Sequence, residues 1–150
     1  YAKTYGLNIK IARLFSVYGP KSPKQNLIFN IINQMSNNSK ITLGNTYPKR
    51  DFIFISDVIT GLIKILNSKK KEFQVYNIGS GKSISIEDLV KNCSSVYNKK
   101  LKIISSKERR RKNEVKDIRA NISKMKKEFN WKPEISLKKG LGITYNHYKV

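Results

Sequence analysis

The sequence predicts an α/β domain, and three observations carry that expectation. Short apolar runs of strand character alternate with longer segments whose apolar residues recur at helical spacing. Glycine, proline and asparagine clusters punctuate the changes from one to the other. The 150 residues suffice for one domain with a real core, and apart from a bias to lysine no repeat or low-complexity block interrupts them.

Tyr1 to Tyr5 reads as the last turn of a helix closed by Gly6, so the sequence predicts a truncated chain. Leu7 to Phe15 reads as a buried strand, and Val17 to Gln25, with Gly19, Pro20 and Pro23, as a loop. Leu27, Ile28, Ile31, Ile32 and Met35 mark one face of a helix. Ile41 to Leu43 is a short strand, residues 44–49 a turn, and Asp51 to Ile55 an alternating strand. Val58, Leu62, Ile63, Ile65 and Leu66 mark the next helix, and Phe73 to Ile78 another strand. Ser85-Ile86-Glu87-Asp88 is a capping box, with Ser85 as the cap and Asp88 reaching back, and it opens a helix to Tyr97. Leu101 to Ile104 is a strand and Lys107 to Asp117 a charged loop. Two helices, Ile122 to Phe129 and Ser136 to Tyr148, close the chain around Trp131-Lys132-Pro133.

The 31 Lys+Arg against 10 Asp+Glu give a net charge of +21. That invites a nucleic-acid or anionic-membrane reading. Lysine supplies 25 of those cations, however, and isoleucine and asparagine are also abundant. All three have A/T-rich codons, so genomic bias accounts for the composition, and no helix-turn-helix, RNA-recognition or zinc-finger pattern is present. Specific nucleic-acid binding is not expected. Cys93 is the sole cysteine, which excludes an internal disulfide and a cysteine-rich metal site, and its spacing with Leu89 and Val90 makes it a core residue. His147, the only histidine, reads as a surface residue. No uncharged apolar run approaches the roughly 18 residues of a membrane span. With no signal peptide in evidence, the default location is the cytoplasm.

Three patterns that suggest chemistry fail on inspection. Gly79-Ser80-Gly81-Lys82-Ser83 looks like the end of a phosphate-binding loop, but the glycine required five residues before Gly81 is Tyr76. Tyr145-Asn146-His147-Tyr148-Lys149 matches Tyr-x-x-x-Lys, an acid–base tyrosine with a lysine one turn on. It stands at the C-terminus with no cofactor motif before it, and reads as chance. None of the eight glycines forms a dinucleotide fingerprint.

Three other segments carry more. Arg13-Leu14-Phe15-Ser16-Val17-Tyr18-Gly19-Pro20, Lys49-Arg50-Asp51-Phe52-Ile53-Phe54-Ile55-Ser56-Asp57 and Tyr76-Asn77-Ile78-Gly79-Ser80-Gly81 follow in that order. Together they resemble the C-terminal half of NAD-dependent nucleotide-sugar epimerases and dehydratases of the extended short-chain dehydrogenase family. Phe129-Asn130-Trp131-Lys132-Pro133 follows that family's Leu-Gly-Trp-x-Pro pattern with two changes, and Asn121 stands where the family usually has Asp. The resemblance runs from Leu7 to the last helix.

It implies the C-terminal portion of an extended Rossmann-type fold with the smaller substrate-binding lobe. Residues 1–24 would end the dinucleotide-binding domain, and 25–150 would form the nucleotide-sugar lobe, with returns to the main sheet near 51–81. The implied activity is UDP-glucose 4-epimerase-like, with NAD taking a hydride from the sugar. The alternatives are a nucleotide-sugar 4,6-dehydratase, whose relatives the stretch Leu43 to Phe52 also resembles, and a basic binding module without catalysis. NAD would be bound mainly by an N-terminal half absent from this sequence, so no catalytic residue and no metal ligand are assigned. This chain alone would be inactive, and a homodimer stays open for the full-length enzyme.

Site residues follow position by position. Arg50 matches the family's diphosphate-contacting arginine, and Arg111 the second. A planar fork suits a diphosphate better than an ammonium does, and only six positions are arginine in a lysine-rich chain. A solvated charged loop is the competing reading for Arg109 to Arg111. Asn26 matches a position at a helix N-terminus that contacts the diphosphate, against a plain capping role. Ser16 and Tyr18 fall on the loop facing cofactor and sugar, with Ser16 where many members have Asn.

Overall fold

The computed structural model describes residues 1–70 and 73–148. In chain order the elements are α1 (Ala2–Tyr5), β1 (Lys10–Leu14), β2 (Ser16–Tyr18), α2 (Leu27–Asn37), β3 (Lys40–Leu43), β4 (Lys49–Arg50) and β5 (Phe52–Phe54). They continue with α3 (Ile55–Leu66), β6 (Gln74–Ile78), β7 (Ile84–Ser85), α4 (Ile86–Tyr97), β8 (Lys102–Ser105), β9 (Asp117–Ile118), α5 (Ser123–Phe129) and α6 (Leu137–Tyr148). Three strand pairs are parallel: β1 with β6, β2 with β5, and β3 with β8. A small three-stranded sheet places β4 between antiparallel β7 and parallel β9. Parallel neighbours need crossover connections, and α3 and α4 fall where those crossovers require helices.

Two cores hold the elements together. In one, the apolar face of α2 (Ile28, Ile31, Ile32, Met35) meets Ile41, Leu43 and the inner face of α4 (Leu89, Val90, Cys93), and Leu141 of α6 closes it. In the other, Ile53, Val58 and Ile65 pack with Tyr76, Ile78, Met125 and Trp131. Residues 120–131 thus join the strands of β1 and β6 rather than the α2–α4 core, so the members of the two cores interleave along the chain. Trp131 is a packing residue, its indole N–H donating to Thr60 Oγ1 at 3.2 Å. Asp57, buried near the start of α3, accepts the backbone N–H groups of Glu134 and Ile135, both at 3.1 Å. That ties the segment after Pro133 to the helix. His147 is exposed.

Four expectations need correction. The strand expected over Leu7 to Phe15 is shorter and is not buried: Ile11 and Leu14 are 43% and 47% exposed. Pairing with β6 covers one edge of β1 and neither of its faces, and among the described residues only Ala12 of its side chains packs against a core. Val17 and Tyr18 leave the expected loop for β2, drawn in by pairing with Ile53 and Phe54. Ile55 starts α3 instead of ending a strand, and the charged loop ends in a two-residue strand, β9, against Lys49 and Arg50. The capping box holds in part. Ser85 Oγ accepts from Asp88 N at 3.0 Å, but the short Asp88 carboxylate takes the Ser85 hydroxyl at 2.7 Å rather than reaching the backbone as a glutamate would.

Candidate functional site

One cleft of about 630 Å³ gathers four of the five residues singled out in the sequence. Ser16, Asn26, Arg50 and Arg111 line it, with Arg109, Glu114 and Phe52. Its walls come from the start of β2, the N-terminus of α2, the turn after β3, the β4–β5 junction and the charged loop before β9. The fifth residue, Tyr18, does not line it. The Tyr18 ring is 2% exposed, packs edge-on against Phe54 at 5.5 Å, and donates its hydroxyl to Leu137 O at 3.3 Å. Burial, with Asp57 and Cys93 nearby, holds that phenol above its ordinary range, so Tyr18 builds the core beneath the cleft.

Asn26 caps α2. Its Oδ1 accepts from Ile28 N at 3.0 Å and its Nδ2 donates to Val17 O at 2.9 Å. The capping reading of this residue is therefore correct as far as the side-chain contacts go, and it also fastens the helix end to β2. The helix N-terminus it caps, with its positive dipole, opens into the cleft.

Arg50 projects from β4. Both protons of its Nη1 are committed, to Lys49 O at 2.8 Å and Val115 O at 2.9 Å, and Nη2 pairs with the Glu114 carboxylate. The guanidinium thus staples the charged loop to β4, leaving Nε–H and one Nη2 proton for a ligand. Glu114 has no signal in the sequence; only the fold brings it to Arg50.

The charged loop is docked on the strands beside it, although most of its residues stay exposed. Asn45 Nδ2 donates to Arg111 O at 2.9 Å, Arg109 donates to Thr42 O at 2.8 Å, and Lys49 N donates to Lys116 O at 2.8 Å. Gly44 makes the approach possible, since a Cβ there would lie 2.2 Å from Arg109 O. The Arg111 side chain makes no hydrogen bond or ion pair among the described residues and faces the cleft. Arg110 turns away to Ser105 Oγ at 2.9 Å. Sequence reasoning therefore underrated Arg109, which shares the cleft while Arg110 does not.

A second cleft, of about 540 Å³, lies on the other side of Arg50, beside Arg13, Ser16 and Asn77 at the carboxyl ends of β1 and β6. Ligands of parallel α/β sheets bind at such ends. The backbone donors of the glycine loop after β6 are already committed: the N–H groups of Ser80 and Gly81 donate to the buried Asp51 carboxylate. Tyr145 stacks on Tyr97 at 4.2 Å, away from both clefts, and Lys149 lies outside the described residues. Among the described residues no group of three His, Cys, Asp or Glu could hold a metal, and no helix is long and apolar enough to cross a membrane.

Residues 1–144 match the family model described as GDP-mannose 4,6 dehydratase. A UDP-glucuronate 4-epimerase from Thermodesulfobacterium geofontis is 36% identical over 99% of this chain and 46% of its own length. A putative UDP-glucose 4-epimerase from Methanocaldococcus jannaschii is 31% identical over 99% of this chain and 48% of its own. Among solved structures, UDP-glucuronic acid 4-epimerase from Bacillus cereus, in complex with UDP-glucuronic acid and NAD, superposes with a TM-score of 0.86. It is 31% identical, over 99% of this chain and 48% of that one. The chain spans about half the length of the curated relatives it matches.

Proposed function

The chain belongs to the GDP-mannose 4,6 dehydratase family, and from that premise we propose that it is the nucleotide-sugar-binding half of an NAD-dependent epimerase of the UDP-glucose 4-epimerase type. One observation carries this reading. Lysine outnumbers arginine 25 to 6 in the chain, yet three of the six arginines line the larger site cleft and none of the lysines does. Lysine would serve a site that asked only for positive charge. A planar fork is what two adjoining phosphates reward. Arg109 and Arg111, the free edge of Arg50 and the N-terminus of α2 would hold the diphosphate. Phe52, Leu27 and Ile86 give the same cleft an apolar wall for the base.

The residues present do not fit NAD. The dinucleotide fingerprint is absent, and the one loop resembling a phosphate cradle is filled by Asp51. In the whole protein NAD would supply the hydride chemistry from the other half. Residues 1–24, with 51–81 returning, would complete its sheet. The open edge of β1 fits that role, as do the exposed Ile59, Ile63 and Leu66, which form a stripe on α3. The name of the matching family model favours a 4,6-dehydratase as the second reading.

The test is calorimetric titration of this polypeptide with UDP and, separately, NAD. UDP should bind and NAD should not. Micromolar NAD binding, or no UDP binding by the folded chain, overturns the assignment. In the full-length protein, inversion at carbon 4 without loss of water separates epimerase from dehydratase.

A further inference from the structure

We infer that Asp51 is a positioning residue for the cleft, setting the place of Arg50 and the loop of arginines without touching the ligand; this rests on the nucleotide-binding reading above. Asp51 is 1% exposed, and its carboxylate accepts four hydrogen bonds. Oδ1 takes Ser80 N and Ser80 Oγ, both at 2.6 Å. Oδ2 takes Gly81 N at 2.9 Å and Ala120 N at 3.0 Å. The Asp51 carbonyl accepts Ser16 N at 2.9 Å. One residue thus fastens the start of β2, the glycine loop and the exit of β9 to the end of β4.

The exit of β9 matters most. β4 and β9 share only two residue pairs, Lys49 with Asp117 and Arg50 with Ile118. So short a pairing specifies its register weakly. The Ala120 contact, two residues past Ile118, locks it. Just before β9 stand Glu114 and Val115, the partners of Arg50, and before them Arg111 and Arg109. If β9 slips, Arg50 keeps Lys49 O but loses its two partners on the loop, Glu114 and Val115, and the other two guanidiniums move with that loop. The junction has no slack to absorb a change, because a Cβ at Gly79 would lie 2.4 Å from Ala120 Cβ and 3.0 Å from Asp51 Oδ2.

Only a carboxylate accepts at both oxygens. In Asp51→Asn the amide N–H₂ would face either Gly81 N and Ala120 N or Ser80 N, with the Ser80 hydroxyl free to turn and accept, so at least one buried backbone N–H loses its acceptor whichever way the amide turns. The chain should be compared with Asp51→Asn, Arg50→Ala and the double variant by UDP titration, with the Arg50 Nε–H resonance followed by NMR without ligand. Asp51→Asn should weaken UDP binding about tenfold, the scale of one misplaced charge-assisted contact. In the Arg50→Ala background the same change should cost less than in the wild-type chain, because the Arg50 share of the loss is then already absent and only the displacement of Arg109 and Arg111 remains. Ser80→Ala, which removes one of the four bonds, should shift the Arg50 resonance and weaken binding in the same direction, and it decides the matter if Asp51→Asn does not fold. Equal losses in both backgrounds would make Asp51 a general fold residue and overturn the inference, as would an unmoved Arg50 resonance with unchanged affinity. Failure of the wild-type chain to bind UDP is a different result: it removes the nucleotide reading itself, and this inference with it.

Discussion

Gly44→Ala should disable the cleft while leaving the fold standing. The added Cβ would lie 2.2 Å from Arg109 O and 2.7 Å from Arg109 C, both backbone atoms. Ordinary carbon–oxygen contact begins near 3.3 Å, so the loop must retreat by about 1 Å. That retreat breaks the 2.9 Å bond from Asn45 to Arg111 O and the 2.8 Å bond from Arg109 to Thr42 O. Two exposed hydrogen bonds are worth about 1 kcal/mol each, and the reduced freedom of the unfolded chain returns about 0.5 kcal/mol. A loss of about 1.5 kcal/mol leaves most domains folded. Binding suffers more, because Arg109 and Arg111 both move. Each charge-assisted contact is worth roughly 1.5–3 kcal/mol, so UDP affinity should fall at least about tenfold. Thermal unfolding and UDP titration measure the two effects separately. Gly142→Ala is the control: its Cβ meets only Val96, at 3.8 Å, inside α6. It should stabilise by up to about 1 kcal/mol and leave UDP binding alone. Wild-type affinity in a folded Gly44→Ala chain refutes the docked-loop account.

Arg111→Ala should weaken UDP binding about tenfold with no change in melting temperature, since its guanidinium bonds to nothing among the described residues. Arg50→Lys should lower both affinity and melting temperature, because a lysine keeps the charge but cannot reach Val115 O, Lys49 O and Glu114 together; an unshifted melting temperature would dissolve the staple. Burial pushes the Cys93 thiol up to about 12, so the folded state keeps its proton longer than the unfolded chain, whose thiol titrates near 8.5. This contribution should be complete below about pH 8.5 and fall by about 1.4 kcal/mol per unit above it, and urea titrations between about pH 8.5 and 10, below the range where the buried tyrosines add their own decline, should lose that slope in Cys93→Ala. Asp57→Asn should cost about 2 kcal/mol by weakening the two contacts to Glu134 and Ile135, read as a lower urea midpoint, with UDP affinity of the folded fraction unchanged.

What the sequence displayed and what it hid divide along physical lines. Helix faces were legible because burial of Ile28, Ile31, Ile32 and Met35 or of Leu89, Val90 and Cys93 imposes a period that survives in one dimension. Strand burial was not, because Ile11 and Leu14 are apolar whether or not another element packs over their faces. Arg50, Arg111, Asn26 and Ser16 were legible from the resemblance, and the fold brings them to one cleft. Tyr18 lay on the right segment but is turned into the core, held by Phe54 and Leu137 O, and strand alternation gives no sign of it, because Ser16 two residues earlier falls on the same face. Glu114, the role of Arg109 and the need for Gly44 were hidden, because each depends on contacts between segments more than sixty residues apart.

The placement of the scarce carboxylates bears on how a chain of +21 would hold the proposed anion site. With 10 acidic residues against 31 basic ones, surface repulsion would be eased most by spreading them outside. Instead Asp51 and Asp57 are buried as acceptors for backbone N–H groups, and Glu114 stands inside the cleft against Arg50. Each fixes a segment that bears on the site or on the core beneath it. The lysines stay outside the cleft, where their field is screened over about 8 Å at physiological ionic strength. They can raise the local concentration of any anion, but they carry no geometry. On the proposed reading discrimination would fall to three arginines in a cleft of about 630 Å³, a volume within the range of small-molecule sites. Net charge and recognition are therefore separate properties of this chain, and the charge alone gives no ground for a nucleic-acid partner.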